Sequence, residues 1–117
     1  MAIQGVFYVF ALVSDLERSK KFYGETLGWK LGTVEGNVAG FSFGSGYLVI
    51  HADEGEARKG GGMHVSVKVD DVDAQHARLK KLGLEVSELQ DQPWGERHFS
   101  FADPDGYTWF YSQSAQG

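Results

Sequence analysis

A chain of 117 residues can build one real hydrophobic core but not two independent ones. With 42% hydrophobic and 23% charged residues it has the balance of a folded soluble domain, and no apolar run approaches a membrane span. A net charge of −5 disfavours nucleic acid as a partner, and the absence of cysteine removes disulfides, thiolate metal sites and a cysteine nucleophile together.

The N-terminus lacks the basic-then-apolar layout of a signal peptide, so a cytoplasmic location is expected. Residues 5–13 read as a strand that ends in Val13 and runs into a helix start. Ser14-Asp15-Leu16-Glu17 has the form of a capping box, with Ser14 as the predicted cap. The helix that follows buries Leu16, Phe22, Tyr23 and Leu27 and ends at Gly28. Residues 29–34 and 38–43 read as strands around the tight turn Glu35-Gly36-Asn37, and a further strand covers residues 47–51. In that last strand Tyr47, Val49 and His51 share one face.

Between residues 52 and 62 the pattern stops. Asp53, Glu54 and Glu56 carry negative charge, and Arg58-Lys59-Gly60-Gly61-Gly62 reads as a hinge. The glycines lack the Lys-Ser/Thr ending and the strand–loop–helix setting of a phosphate loop.

The second half repeats the first. From Gly62 to Val69 polar and apolar residues alternate, placing His64, Ser66 and Lys68 on one strand face and Val65, Val67 and Val69 on the other. His64 then holds the place that Tyr8 holds in the first half. Asp70-Asp71-Val72-Asp73 is an acidic helix start, and Val72, Leu79 and Leu82 form the predicted stripe of a helix closed by Gly83. His76 falls on its solvated face and is assigned no role. Strands are expected over residues 85–89, 97–102 and 107–113, the last two joined by the turn Asp103-Pro104-Asp105-Gly106. That turn explains both aspartates; acid–base work by the pair would need them to converge on a cleft.

The expectation is a single α+β domain over residues 1–117, made of two βαβββ repeats (about 1–57 and 63–117, hinge 58–62) that form a curved half-barrel cup with the helices outside. Alternation points His98, Ser100 and Phe110 at the cup. The aromatic content of 14% exceeds what so small a core must use, and Tyr8, Phe10, Tyr47, Trp94 and Phe110 are candidates for the cup or its mouth. Trp94, in a loop, is either a lid or stacking contact, or a ring packed on the neighbouring subunit or on the second helix.

The doubled repeat, the segment Val13-Ser-Asp-Leu-Glu-Arg-Ser-Lys-Lys-Phe-Tyr23 and the turn Phe101-Ala-Asp-Pro-Asp-Gly-Tyr107 together resemble the vicinal oxygen chelate superfamily of glyoxalases, bleomycin-resistance proteins and extradiol dioxygenases. The resemblance implies four metal positions, which fall here on Tyr8, His51, His64 and Phe110. A phenylalanine stands where the metal-dependent members carry a glutamate, so the carboxylate that would balance a divalent cation is missing. His51 and His64 remain as tentative ligands of a weakly held metal, and no cofactor is expected. His98 would either complete a three-histidine site or contact the ligand directly.

The reading that follows is a small-molecule binding protein of the bleomycin-resistance type, with an antibiotic-like, cationic or aromatic ligand held by Tyr8, His51, His64, Trp94, His98, Ser100 and Phe110. The alternative is a metal-dependent lyase, isomerase or transferase using His51 and His64; a third is a structural or regulatory module whose cup is filled by its own side chains. By resemblance a homodimer is expected, in which the glycine hinge would let the repeats exchange.

Overall fold

The computed structural model describes residues 2–52 and 64–114. The chain divides into two compact units, Met1–Arg58 and Lys59–Gly117. The predicted glycine hinge lies outside the described residues. Each unit is a strand, a helix and three strands, so the molecule is α+β with one four-stranded mixed sheet per unit.

In the first unit β1 (Val9–Val13), α1 (Leu16–Lys21), β2 (Lys30–Glu35), β3 (Val38–Phe43) and β4 (Gly46–Ala52) give the sheet order β1-β4-β3-β2. The first strand pairs parallel with the last, from Val9 opposite Leu48 to Val13 opposite Ala52. Both hairpins close through two residues with a positive-φ glycine leading, Gly36 at φ 60° and Gly44 at φ 60°, the conformation that two-residue loops demand. Helix α1 packs on β3 and β4. The core beneath it is aromatic: Tyr23, fully buried, has Phe22, Trp29 and Phe41 rings within 5.9 Å of its own.

In the second unit β5 (Val65–Lys68), α2 (Val72–Lys81), β6 (Gln90–Gln92), β7 (Glu96–Ala102) and β8 (Thr108–Ser114) repeat that plan, in the order β5-β8-β7-β6. Helix α2 lies on β7 and β8, and Val72, Leu79, Phe99, Phe101, Trp109 and Tyr111 are buried. Alternation along β7 and β8 therefore sends Phe99, Phe101, Trp109 and Tyr111 to the core and leaves His98, Ser100 and Phe110 on the opposite face.

Several sequence expectations need correction. β1 starts at Val9, four residues later than expected: in its register with β4, residues 5 and 6 fall before the first residue of that strand, Gly46, and the ladder itself begins only with Val9 opposite Leu48. Tyr8 thus stands just outside the sheet. The first helix is capped by Asp15, whose carboxylate accepts from the Arg18 amide at 3.0 Å, while the Ser14 hydroxyl accepts instead from the Arg18 guanidinium. Beyond Lys21 the helix widens into a π-helical turn, with the Leu27 amide donating to the Phe22 carbonyl five residues back.

Leu82 is exposed rather than part of the α2 stripe, since the helix has ended. The Leu84 amide bonds the Leu79 carbonyl and the Gly83 amide bonds Lys80, with Gly83 at φ 89°, which is a Schellman closure. The strand expected at 85–89 is displaced to Gln90–Gln92: Val86 makes a single bridge to Phe101, and the register slips by one residue before Gln90 meets His98. His76 is not simply solvated. Its Nε2 lies 2.9 Å from the Ser87 carbonyl and its ring stands edge-on to Phe99, so it ties α2 to the segment after it.

Candidate functional site

On the second unit, the face of the sheet away from α2 is assembled by register. Ser66 lies opposite Phe110, Phe110 opposite Ser100, and His98 opposite Ser112, so residues from three strands meet on one side. Phe110 is central. Its ring centroid is 4.3 Å from that of His64 and 4.8 Å from that of His98, the latter at an interplanar angle of 64°. Such tilted, close ring pairs are attractive and fix the rings against each other.

His98 has both nitrogens engaged. Nδ1 is 2.8 Å from Glu96 Oε2, and Nε2 is 3.1 Å from the side-chain amide nitrogen of Gln92. A carboxylate accepts only, so Nδ1 carries the proton; Nε2 then accepts from the Gln92 amide, and the imidazole is neutral. The other Glu96 oxygen lies 3.4 Å from the Trp94 indole nitrogen. The His98 hydrogen bond, aided by those of Trp94 and Ser112, holds the Glu96 carboxyl below the ordinary value against a smaller opposing effect of burial. Ser66 and Ser112 share a hydrogen bond between their hydroxyls. Trp94 itself is 69% exposed and so is not packed on the second helix.

Gln92 and Glu96 also wall a hollow of about 260 Å³, completed by Asp73, Asp91 and Arg97. Arg97 is clamped: one guanidinium nitrogen reaches Asp91 at 3.0 Å and another Asp73 at 3.1 Å, so its charge is already matched. Asp91, then Asp73, push its pKa further up.

The first unit presents a different face. His51, half-buried on β4, has Phe10 at 6.2 Å between ring centroids, and Phe10 and Tyr8 are about half exposed. Tyr47 lies flat over Gly40 and Gly32, where an added Cβ would collide with its ring, and its hydroxyl donates toward Thr33 Oγ1 at 3.4 Å. Asp103 proves to be a turn-builder. Its buried carboxylate accepts from the amides of Asp105 at 3.0 Å and Tyr107 at 2.8 Å, so its Oδ1 is spent on the backbone rather than on acid–base work.

The structure therefore brings His64, His98, Ser100 and Phe110 onto one sheet face with Trp94 near Glu96, whereas Tyr8 and His51 belong to the other unit. Two residues of the cluster, Glu96 and Gln92, escaped the sequence reading. The signal for Glu96 was available: two residues before His98 in a strand, it must share its face.

Among the described residues no three histidines or carboxylates gather where an ion could sit. A phenyl ring fills the middle of the cluster, and both His98 nitrogens are taken, by Glu96 and Gln92.

The family model of the Glyoxalase/Bleomycin resistance protein/Dioxygenase superfamily matches residues 5–111. The chain belongs to this superfamily. Solved structures agree with it over almost the whole fold. A glyoxalase family protein from Bacillus anthracis superposes with a TM-score of 0.86 at 22% identity, covering 97% of this chain and 98% of its own. A glyoxalase/bleomycin resistance protein/dioxygenase from Nocardioides gives 0.76 at 25% identity over 100% of this chain and 88% of its own. Lactoylglutathione lyase from Agrobacterium tumefaciens gives 0.79 at 18% identity over 99% and 98%. At such identities the likeness carries the glyoxalase fold, and superfamily members put that fold to different uses.

Proposed function

We propose that this member of the superfamily binds a small planar or aromatic molecule, neutral or cationic, and holds no resident metal or other cofactor. The observation that carries the reading is Phe110 seated between His64 and His98, with both His98 nitrogens taken by Glu96 and Gln92. Rings flanked by hydrogen-bonding tips suit stacking and orientation of a ligand. An ionised Glu96 and a net charge of −5 favour a cation over an anion. Trp94, exposed beside Glu96, supplies a face for cation–π contact.

The metal-dependent alternative keeps His51 and His64 as ligands, and His64 is exposed enough to serve. It lacks the carboxylate that Phe110 replaces.

Tryptophan fluorescence separates the two. Trp29 and Trp109 are 8% and 3% exposed, so a quencher in solution reports on Trp94. Saturable quenching by a cationic aromatic dye, with a melting temperature unmoved by chelator, supports binding. A melting temperature that falls on chelation and recovers with one divalent ion supports the enzyme.

We propose further that the chain acts in the cytoplasm as a homodimer. Ile3, Val6 and Phe7 are each at least 85% exposed and contiguous with half-exposed Tyr8 and Phe10, an apolar stretch that a lone copy would leave in water. Light scattering across a dilution series tests this; a monomer mass at every concentration contradicts it.

A further inference from the structure

Among the described residues, seven of the nine large apolar side chains that stand exposed belong to the first unit, and they fall into two groups. One is the segment that leads into β1, where Ile3, Val6 and Phe7 are followed by half-exposed Tyr8 and Phe10. The other is β2, with Leu31 and Val34 about half exposed.

β2 is an edge strand, exposed at all six positions, and its outer row of amides and carbonyls meets no strand. Charge stands only at its ends, on Lys30 and Glu35, so the middle of the edge is an unguarded template for a further strand. Its apolar side chains are also aligned. Gly32 is the extra residue of a bulge between Leu31, opposite Phe41, and Thr33, opposite Gly40, and that extra step turns Leu31 and Val34 to the same face. It is the face toward α1, because Phe41 and Ala39 opposite them are buried there.

Beside Leu31, between β2 and the first helix, lies a hollow of about 430 Å³ floored by Phe41 and Gly24. Its rim is neutral where it is paired: Lys20 and Glu17 hold each other at 3.2 Å. The segment before β1 is the matching shape. Residues 2–8 carry no charged side chain, residues 5–8 have strand composition, and the ladder to β4 starts only at Val9. Once extended, that segment sets Ile3 and Phe7 on one face. In its own copy it leaves from β1, at the opposite edge of the sheet and roughly 14 Å away across three strand spacings, with its side chains in water.

We infer that in the homodimer proposed above, on which this step rests, residues 2–8 of each copy pair as an added strand on β2 of the other, with Ile3 and Phe7 covering Leu31, Val34 and the hollow. Neither surface brings an unpaired charge out of water, and backbone bonds at the edge supply register. Size agrees. Each copy contributes seven residues of the segment, six of β2 and six more around the hollow, close to the roughly 20–30 residues per side of a stable interface. Reciprocal exchange about a two-fold axis closes the assembly at two copies.

The chain has no cysteine, so introduced thiols report cleanly. Phe7→Cys and Leu31→Cys are prepared separately, mixed at low concentration, reconcentrated and treated with a short bismaleimide. A covalent dimer should form in the mixture, with residue 7 of one variant joined to residue 31 of the other, and neither variant alone should cross-link. Val34→Lys should raise the dimer dissociation constant at least about tenfold in sedimentation velocity, with the far-UV circular dichroism of the wild type. Leu82→Lys, an exposed apolar position of the second unit, should leave that constant unchanged.

A dimer in which Phe7→Cys cross-links to itself and not to Leu31→Cys would mean that the two segments cover each other. A dimer indifferent to Val34→Lys would mean that β2 is not the seat. Either result overturns the inference and leaves the homodimer in place, whereas a monomer mass for the wild type at every concentration overturns both.

Discussion

Glu96 and His98 stand two residues apart on one strand and meet across 2.8 Å, carboxylate to Nδ1, on the face of the sheet turned away from its helix. The strand's period of two makes the pairing inevitable once both residues are present, and Phe110 on the next strand closes over it. A histidine held in this way is a fixed acceptor rather than a free ligand. The candidate site is built around that constraint.

Replacing Glu96 by Gln should destabilise the protein by about 1 kcal/mol at neutral pH, through loss of a charge-assisted hydrogen bond that is partly open to water. The pH dependence has a definite sign. Glu96 titrates below the ordinary glutamate value of 4.5 in the folded chain, so its contribution is complete above that value and fades as the pH drops through the folded pKa. Urea denaturation of wild type and variant from pH 7 to pH 3 should therefore show a gap that closes in acid. A gap unchanged down to pH 3 would mean that the carboxylate is not held by His98.

Phe110→Ala removes the ring between two imidazoles. It should cost about 2 kcal/mol, less than a fully buried phenylalanine because Phe110 is only half-buried. Phe110→Leu should recover part of the loss. Denaturation midpoints measure both, and an alanine variant as stable as wild type would show that the ring does not pack between His64 and His98.

In the first unit, Gly40→Ala should expel the Tyr47 ring from the sheet face and destabilise the protein by about 1–3 kcal/mol. The double variant Gly40→Ala, Tyr47→Ala should be more stable than the sum of the two single losses implies, because the clash is gone. Strict additivity would show that Tyr47 does not lie over the glycine.

Much of this fold was legible in the residues. The repeat announced itself through Leu27-Gly28-Trp29 and Leu82-Gly83-Leu84, through a helix-start signal after Val13 and after Val69, and through alternation in the strands from Tyr47 to His51 and from His98 to Ser112. What failed was set by partners distant in sequence. Residues 5–8 have strand composition but the ladder to β4 begins only at Val9, and residues 85–89 lose their ladder to a one-residue slip. Leu82 fits the helical period yet lies past the helix end. For the site, His64, His98, Ser100 and Phe110 could be assigned to one face from period two alone. Gln92 could not, because only the short strand β6 and its register with Glu96 bring its amide to the imidazole.

The most direct measurement is the divalent-metal content of protein purified without chelator, by plasma mass spectrometry, beside the same analysis of His64→Ala. The account predicts far less than one ion per chain in both. Full occupancy in the wild type, lost in the variant, would contradict it.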